Sequence, residues 1–399
     1  MIVACDGRDE LIRIHLRRRL RALSILAALA MLITSCGGGT SPATTGGGGS
    51  AASLKGTNLN FYSGGDTNVQ DLHEKQVIPG FESSTGAKVT FTFLEHGTGE
   101  QGIYDRLKAQ KETNKATWDI DLWEAGTARY TQPEDLFQEL TVNDIPNLKY
   151  VPKPTLDFVN NRAVPYRGSS VVLAYNSTKV KDPPKTYDDI IAWAKANPGK
   201  FAYNEPSTGG SGDAFVIAML YKYSDYNKYV GKPFSAENEK DWDKAFAELK
   251  ALAPSLYQKG VYPKGNAGTL DLLNRGEISM GTVWSDQATQ WLSDGRLPKD
   301  IKLVQVTPAF NGGGAYIGVT KNAANKAAAF AYLNFLLEPK QQAAIVTGGM
   351  AGYPGVDWAQ LPADARNRFS GIDKEFRLWP GGVYGSDMQK LWHEKVLTN

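Results

Sequence analysis

Apolar and polar positions follow two rhythms along this chain, and the rhythms alternate. Lys88 to Leu94 (KVTFTFL) has the period of two expected of a strand, while Lys240 to Ala253 sets Trp242, Phe246, Leu249 and Leu252 on one side of a helix. Asn58 to Tyr62 (NLNFY) predicts a first strand, and Ser63 to Thr67 (SGGDT) a loop opening a helix from Val69 to Phe81, which Gly86 ends. The strand 88–94 runs into Glu95-His96-Gly97-Thr98-Gly99, followed by a helix over 101–111 with Ile103, Tyr104 and Leu107 on one face. Trp118 to Trp123 (WDIDLW) predicts a third strand, ending in Glu124-Ala125-Gly126. Repetition of strand, loop and helix argues an α/β fold with a mainly parallel sheet. Ligands bind beyond the carboxyl ends of such strands, which selects the loops 63–67, 95–99 and 124–126.

Near the middle stands Val164-Pro165-Tyr166-Arg167-Gly168-Ser169-Ser170-Val171-Val172-Leu173-Ala174-Tyr175-Asn176. Val171 to Tyr175 suits a buried strand; Pro165 precedes it and the turn pair Asn176-Ser177 follows. With an α/β stretch on each side, this segment reads as the passage from one lobe to another, carrying Tyr166 and Arg167 past a cleft. Beyond it, Thr186-Tyr187-Asp188-Asp189 predicts a capped helix stopped by Asn197-Pro198-Gly199, and Phe201 to Tyr203 a short strand. Residues 204–212 (NEPSTGGSG) lead into an apolar helix over 214–223. Small residues there leave the orphan N–H groups of the helix open to a carboxylate, phosphate or hydroxyl. Leu270 to Leu273 starts another helix, and Ile278 to Trp284 is a strand running into Ser285-Asp286-Gln287 and a further helix. Ile301 to Val306 is the next strand; Thr307-Pro308 breaks it and marks a return crossing to a strand over 312–319. Helices over 323–337 and 340–346 complete the first lobe, with Tyr353-Pro354 and the tail closing the body.

The amino terminus changes the picture. Arg13, Arg17, Arg18, Arg19 and Arg21 precede an apolar run, Ala22 to Ile33, too short for a stable membrane span and of signal-peptide length. Ile33-Thr34-Ser35-Cys36 resembles a lipobox, which predicts cleavage before Cys36 and lipidation on it; residues 1–12 read as an over-extended start. Gly37 to Ser53, built of Gly, Ser, Thr, Ala and Pro, reads as a flexible tether. Cys5 and Cys36 are the only cysteines, so the body holds neither a disulfide nor a cysteine metal site and depends on its hydrophobic core. At 42% apolar and 11% aromatic the composition is globular. The net charge of +2 owes much to the leader, whose removal leaves a mildly acidic body, unlike a nucleic-acid binder.

Taken in order, several pieces carry a resemblance: Tyr62-Ser63-Gly64, Val77-Ile78-Pro79-Gly80-Phe81-Glu82, the crossing from Val164 to Asn176, and Pro183-Pro184-Lys185-Thr186-Tyr187-Asp188-Asp189-Ile190. Glu277-Ile278-Ser279-Met280-Gly281 and residues 327–337 (AAAFAYLNFLL) complete the series. Behind a lipobox, this order resembles the extracellular solute-binding proteins of bacterial ABC importers, near the polyamine, thiamine, iron and sugar branches. The resemblance implies a two-lobed, type II periplasmic-binding-protein-like α/β fold, each lobe a mainly parallel sheet flanked by helices. Residues 1–35 would be the signal peptide, 36–53 the lipidated tether, 54–165 with 309–399 lobe 1, and 166–308 lobe 2. Two segments would join the lobes, Tyr166 and Thr307-Pro308 flanking the hinge. A monomer, held at the cell membrane by the lipid on Cys36, would close on a small-molecule solute and deliver it to an ABC permease and its ATPase. No cofactor or nucleic acid is implied.

The expected ligand-binding set follows the strand ends and loops: Tyr62, Ser63, Gly64, Asp66, Glu95, Trp123, Glu124, Tyr166, Arg167, Ser207, Gly210, Ser211, Asp213, Trp284, Asp286, Tyr316 and Tyr353. Aromatic faces beside carboxylates suit an amine, through cation–π and charge pairing, or a sugar ring. Ser63, Thr67, Ser207, Ser211 and Arg167 offer the opposing reading, an oxyanion. His73, His96 and His393 are too scattered to suggest iron. A lipid-anchored hydrolase is the rival class; the chain holds no GxSxG, no HExxH and no cysteine nucleophile, and Asp119 with Asp121 reads as strand-end polarity. A cationic or polar organic solute is the preferred ligand.

Overall fold

The computed structural model describes residues 54–95, 99–369, 375–381 and 383–397. The expected leader, Cys36 and the tether lie outside the described residues, as does the side chain of Glu95.

Strand β1 (Asn58–Gly65) pairs in parallel with β2 (Lys88–Glu95) and β3 (Leu122–Glu124), as three strand–loop–helix units require. The first helical run, Thr67–Leu72, His73–Val77 and Ile78–Thr85, lies between β1 and β2 and ends at Gly86, whose φ of 77° suits a residue without Cβ. The third strand is shorter than its apolar pattern suggested. Asp121 is buried and ties the segments instead, accepting from the Asn60 N–H at 2.9 Å and the Asn325 N–H at 2.8 Å. Asp119 is held by Arg106 at 2.5 Å.

The crossing is one strand of 13 residues, β4 (Val164–Asn176), and its two ends belong to different sheets. Its amino-terminal part pairs with β8 (Gly312–Val319) and β9 (Tyr353–Pro354); its carboxyl-terminal part pairs with β6 (Met280–Trp284) and β7 (Ile301–Val304). The short strand β5 (Phe201–Ala202) lies parallel to β6. The expectation of mainly parallel sheets is corrected here: β4 runs antiparallel to all four of its partners, and β8 is antiparallel to β3. A strand that enters a second sheet and a strand that returns from it must run in opposite directions.

Buried apolar side chains fall into clusters on either side of this crossing. Two draw on residues 59–166 and 316–369 and two on residues 171–310 and 384–396, defining a first and a second half. The helix Tyr187–Ala196 begins with the predicted capping box, Thr186 Oγ1 accepting from the Asp189 N–H and Asp189 from the Thr186 N–H.

The tail departs from the expectation that 309–399 belongs to the first half. Ala365 and Phe369 pack in the first half, but Tyr384, Met388, Trp392 and Val396 pack in the second. Their spacing of four is an apolar helical stripe, lying along the helix Tyr384–Trp392 and just beyond it. Between them, Arg377 exchanges backbone hydrogen bonds with Phe310 and Gly312 (2.9 and 3.0 Å), so the tail runs beside the return crossing. The chain thus passes between the halves three times, not two.

Candidate functional site

A bulge interrupts the pairing of β4 with β8 between Pro165 and Arg167. Strict alternation would send Tyr166 and Arg167 to opposite faces; the extra residue lets both reach one carboxylate. That carboxylate is Glu124, at the end of β3. Its Oε2 accepts from the Tyr166 hydroxyl at 2.9 Å and from Ser63 Oγ at the end of β1, and its Oε1 pairs with Arg167 Nη2 at 2.9 Å. Arg167 Nε–H also donates to the Tyr166 oxygen at 2.8 Å. Behind Tyr166 lies fully buried His73, whose ring nitrogens reach Tyr166 at 3.3 Å and Tyr332 at 3.1 Å.

Electrostatics follow from this packing. Burial, with the nearby Arg167 charge, pushes the His73 imidazole down to about 3, so it is neutral. Burial pushes the Tyr166 hydroxyl well above its ordinary range. Burial alone would disfavour the Arg167 charge, but Tyr166, Glu124 and Asp286 outweigh it and hold the guanidinium protonated.

A second polar group stands across the cleft. Asp286, only 6% exposed, begins the helix after β6; its Oδ1 accepts from Ser169 Oγ at 2.6 Å and its Oδ2 from Asn68 Nδ2 of the first half at 3.2 Å. Asp66 of the first half in turn accepts from Asn266 Nδ2 of the second at 3.0 Å. Each half therefore offers one carboxylate to an amide of the other. Burial raises the Asp286 carboxyl; Ser169 and Arg167 oppose the shift and the Asp66 charge adds to it.

Beside this network lies a cavity of about 290 Å³, open at the ends of β1 and β3. It is lined by Gly64, Gly65, Glu100, Glu124, the Ala125-Gly126-Thr127 turn and, from β8, Gly314 and Ala315. Glu100 is engaged, accepting from the Gly126 N–H at 3.2 Å and Arg129 Nε at 3.3 Å.

Of the expected site residues, Ser63, Gly64, Glu124, Tyr166 and Arg167 come together, with Asp66 and Asp286 on the cross-cleft bonds. Others do not join them. Trp123 is fully buried against Phe137 and is core, not a ligand wall. Tyr166 has no exposed ring surface, so it acts through its hydroxyl within the network. Tyr316 is 5% exposed among the same core side chains, and Tyr62 turns away to Arg106. Tyr353 is buried and hydrogen-bonds Ser170 Oγ at 2.8 Å. Trp284 is half-buried against Trp379, a tail residue that the sequence reading did not single out.

The loop before the helix Gly210–Tyr223 is corrected most. Its N-terminus is capped from within: Asn266 Oδ1 accepts from the Ser211 N–H and Oγ, both at 3.0 Å. Gly212 is needed for packing, since a Cβ there would lie 1.9 Å from the Asn204 carbonyl oxygen. A Cβ on Gly210 would press on Trp284. Ser207 is exposed and hydrogen-bonds Glu205 and His393; Asp213 accepts from Gln389 of the tail helix at 3.0 Å. Sequence reasoning missed Asn68, His73, Ser169 and Asn266. Only Ser169 carried a signal, as part of a polar pair inside an apolar strand.

Comparison with known proteins agrees with this architecture. Residues 76–367 match the family model described as bacterial extracellular solute-binding protein. The chain belongs to that family, whose members work outside the cytoplasm. It is 26% identical over 256 residues to Protein YnjB of Escherichia coli, covering 61% of this chain and 66% of that relative. It is 23% identical over 354 residues to the putrescine-binding periplasmic protein SpuD of Pseudomonas aeruginosa, covering 84% and 86%. Among solved structures, the spermidine/putrescine ABC transporter substrate-binding protein PotD of Streptococcus pneumoniae superposes with a TM-score of 0.63 at 16% identity, covering 85% of this chain and 99% of that one. The fold is the type II periplasmic-binding-protein fold.

Proposed function

We propose that this chain is the solute-binding component of an ABC importer and takes a small organic cation into the cleft between its halves. The observation that carries the ligand class is the placement of Asp66 and Asp286, one from each half and each bonded to an amide of the other, where the Asp66 charge adds to the burial that raises the Asp286 carboxyl. A cation seated between them relieves that repulsion and touches both halves at once, which is what a ligand must do to favour closure. The names of SpuD and PotD, which concern putrescine and spermidine, support an amine. The protein is a carrier, not a catalyst: it acts as a monomer, tethered through lipid on Cys36, and hands its solute to a permease.

A thermal-shift titration tests this. Putrescine, spermidine, thiamine, sugars, oxyanions and ferric ion are compared on the protein and on Asp286→Asn. A ligand at a hundredfold excess over its Kd stabilises by about 2.7 kcal/mol. The expected result is a shift with an organic cation that Asp286→Asn reduces. A shift confined to sugars or oxyanions would discard the cation and keep the carrier.

A further inference from the structure

The proposed cation site has a counterpart of opposite sign within the same cleft. Arg167 and Ser169 lie two residues apart on β4, so they share a face of the strand with backbones roughly 7 Å apart. Ser169 holds Asp286, the negative pole, at 2.6 Å. Arg167 is the positive pole. Of its five N–H donors, Nε–H goes to Tyr166 and one Nη2 hydrogen to Glu124; among the described residues Nη1 has no acceptor. The side chain keeps 14% of its surface exposed, so the guanidinium is not sealed off.

The carboxylates divide accordingly. Glu124 is paired with the Arg167 cation and Glu100 with Arg129, whereas Asn266, Asn68 and Ser169, which bond Asp66 and Asp286, are neutral donors. A diamine would find its first ammonium matched at Asp66 and Asp286, and its second facing Arg167. Like charges in a cleft of low dielectric repel strongly. An anionic group at that end would instead meet a rigid fork of charge-assisted donors.

Resting on the cation reading above, we infer that the solute is a short zwitterion: its ammonium sits between Asp66 and Asp286, and its carboxylate bonds the free edge of Arg167. Arg167 is then the residue that selects amino acids over diamines. Chain length follows from the strand spacing, which favours an amine and carboxylate separated by a few methylenes.

Isothermal titration calorimetry on the protein compares 4-aminobutyrate and 5-aminopentanoate with putrescine and cadaverine, the diamines of matching length. The expected result is that an amino acid binds at least tenfold more tightly than its diamine. Arg167→Gln should cost that amino acid tenfold or more and so narrow or reverse its lead over the diamine; Arg167→Lys should restore part of that lead. Thermal melts of both variants confirm that they are folded, and the comparison of the four ligands on the unmodified protein stands without them. A diamine that binds as tightly as its amino acid overturns the zwitterion and leaves the cation reading standing. Failure of every ligand carrying an ammonium, with binding of a sugar or oxyanion, overturns both.

Discussion

On the first half's side of the cleft, three side chains converge on one carboxylate, Glu124, and a neutral buried histidine backs them. On the second half's side, apart from Asp286, the wall around the helix Gly210–Tyr223 is made of amides: Asn266 and Asn204 fix the helix N-terminus and the loop around it. The first wall is a charged network whose members depend on one another. The second is a set of separate neutral hydrogen bonds. The difference should appear when either is cut, because an ion pair that loses one partner leaves a charge in low dielectric, whereas a lost amide leaves one neutral group to rehydrate.

The largest effect is therefore expected at Glu124. Glu124→Ala strips the partner from Arg167, Tyr166 and Ser63 together and should cost about 3–5 kcal/mol in urea unfolding. If it costs no more than a cut through the amide wall, the two sides are not built differently.

The halves also differ in their buried titratable groups. His73 in the first half is pushed down to about 3 from an ordinary 6.5, by burial and then by Arg167. Between those values the unfolded chain binds a proton that the folded chain refuses, so this group's contribution falls as pH drops. Asp213 in the second half is pushed up to about 7 from an ordinary 3.8 by burial, which its bond from Gln389 opposes. Between those values the folded chain keeps a proton that the unfolded chain releases, so its contribution falls as pH rises. Each slope is about 1.4 kcal/mol per pH unit at its steepest, and they oppose one another between roughly pH 4 and 6.5. Urea midpoints across that range should separate them. His73→Gln should become more stable as pH falls from 7 to 4, and Asp213→Asn less stable. Identical slopes in the two variants would sink the assignment.

Next in size is a backbone contact. The Cβ added by Gly212→Ala would overlap the Asn204 carbonyl, and neither the helix nor the loop can move without breaking the Asn204 bonds. A loss of about 1–3 kcal/mol is expected from the midpoint. A neutral result would mean that the glycines serve something other than close packing.

The sequence was most legible where period and punctuation agree. The capping box at Thr186, the stop at Gly86 and the crossing at Val164 to Asn176 each rest on local chemistry that the fold leaves intact. The site was less legible. Glu124, Arg167, Asp66 and Asp286 stood out by charge and by place at strand ends. Their grouping depends on a bulge at Tyr166, which no residue pattern announces, and on strands joined through the crossing. Trp123 and Tyr316 illustrate the limit: an aromatic ring at a strand end looks the same in sequence whether it faces a ligand or a Phe137. The tail was readable and was passed over, since Tyr384, Met388, Trp392 and Val396 already show a helical stripe.

The smallest expected effect separates two roles of a single amide. Asn266 Oδ1 caps the helix Gly210–Tyr223, and its Nδ2 reaches across the cleft to Asp66. Asn266→Ala removes both and should cost about 1 kcal/mol, the usual worth of a cap or a neutral hydrogen bond. Asn266→Asp keeps an acceptor for the Ser211 N–H, and a negative charge at a helix N-terminus is favourable. It turns the cross-cleft bond into a repulsion with Asp66. Unfolding in urea should therefore show Asn266→Asp close to the unsubstituted protein, while small-angle scattering shows a larger radius of gyration as the halves part. If Asn266→Asp is destabilised as much as Asn266→Ala and the radius does not change, the amide is only a cap, and its bond to Asp66 does not hold the halves together.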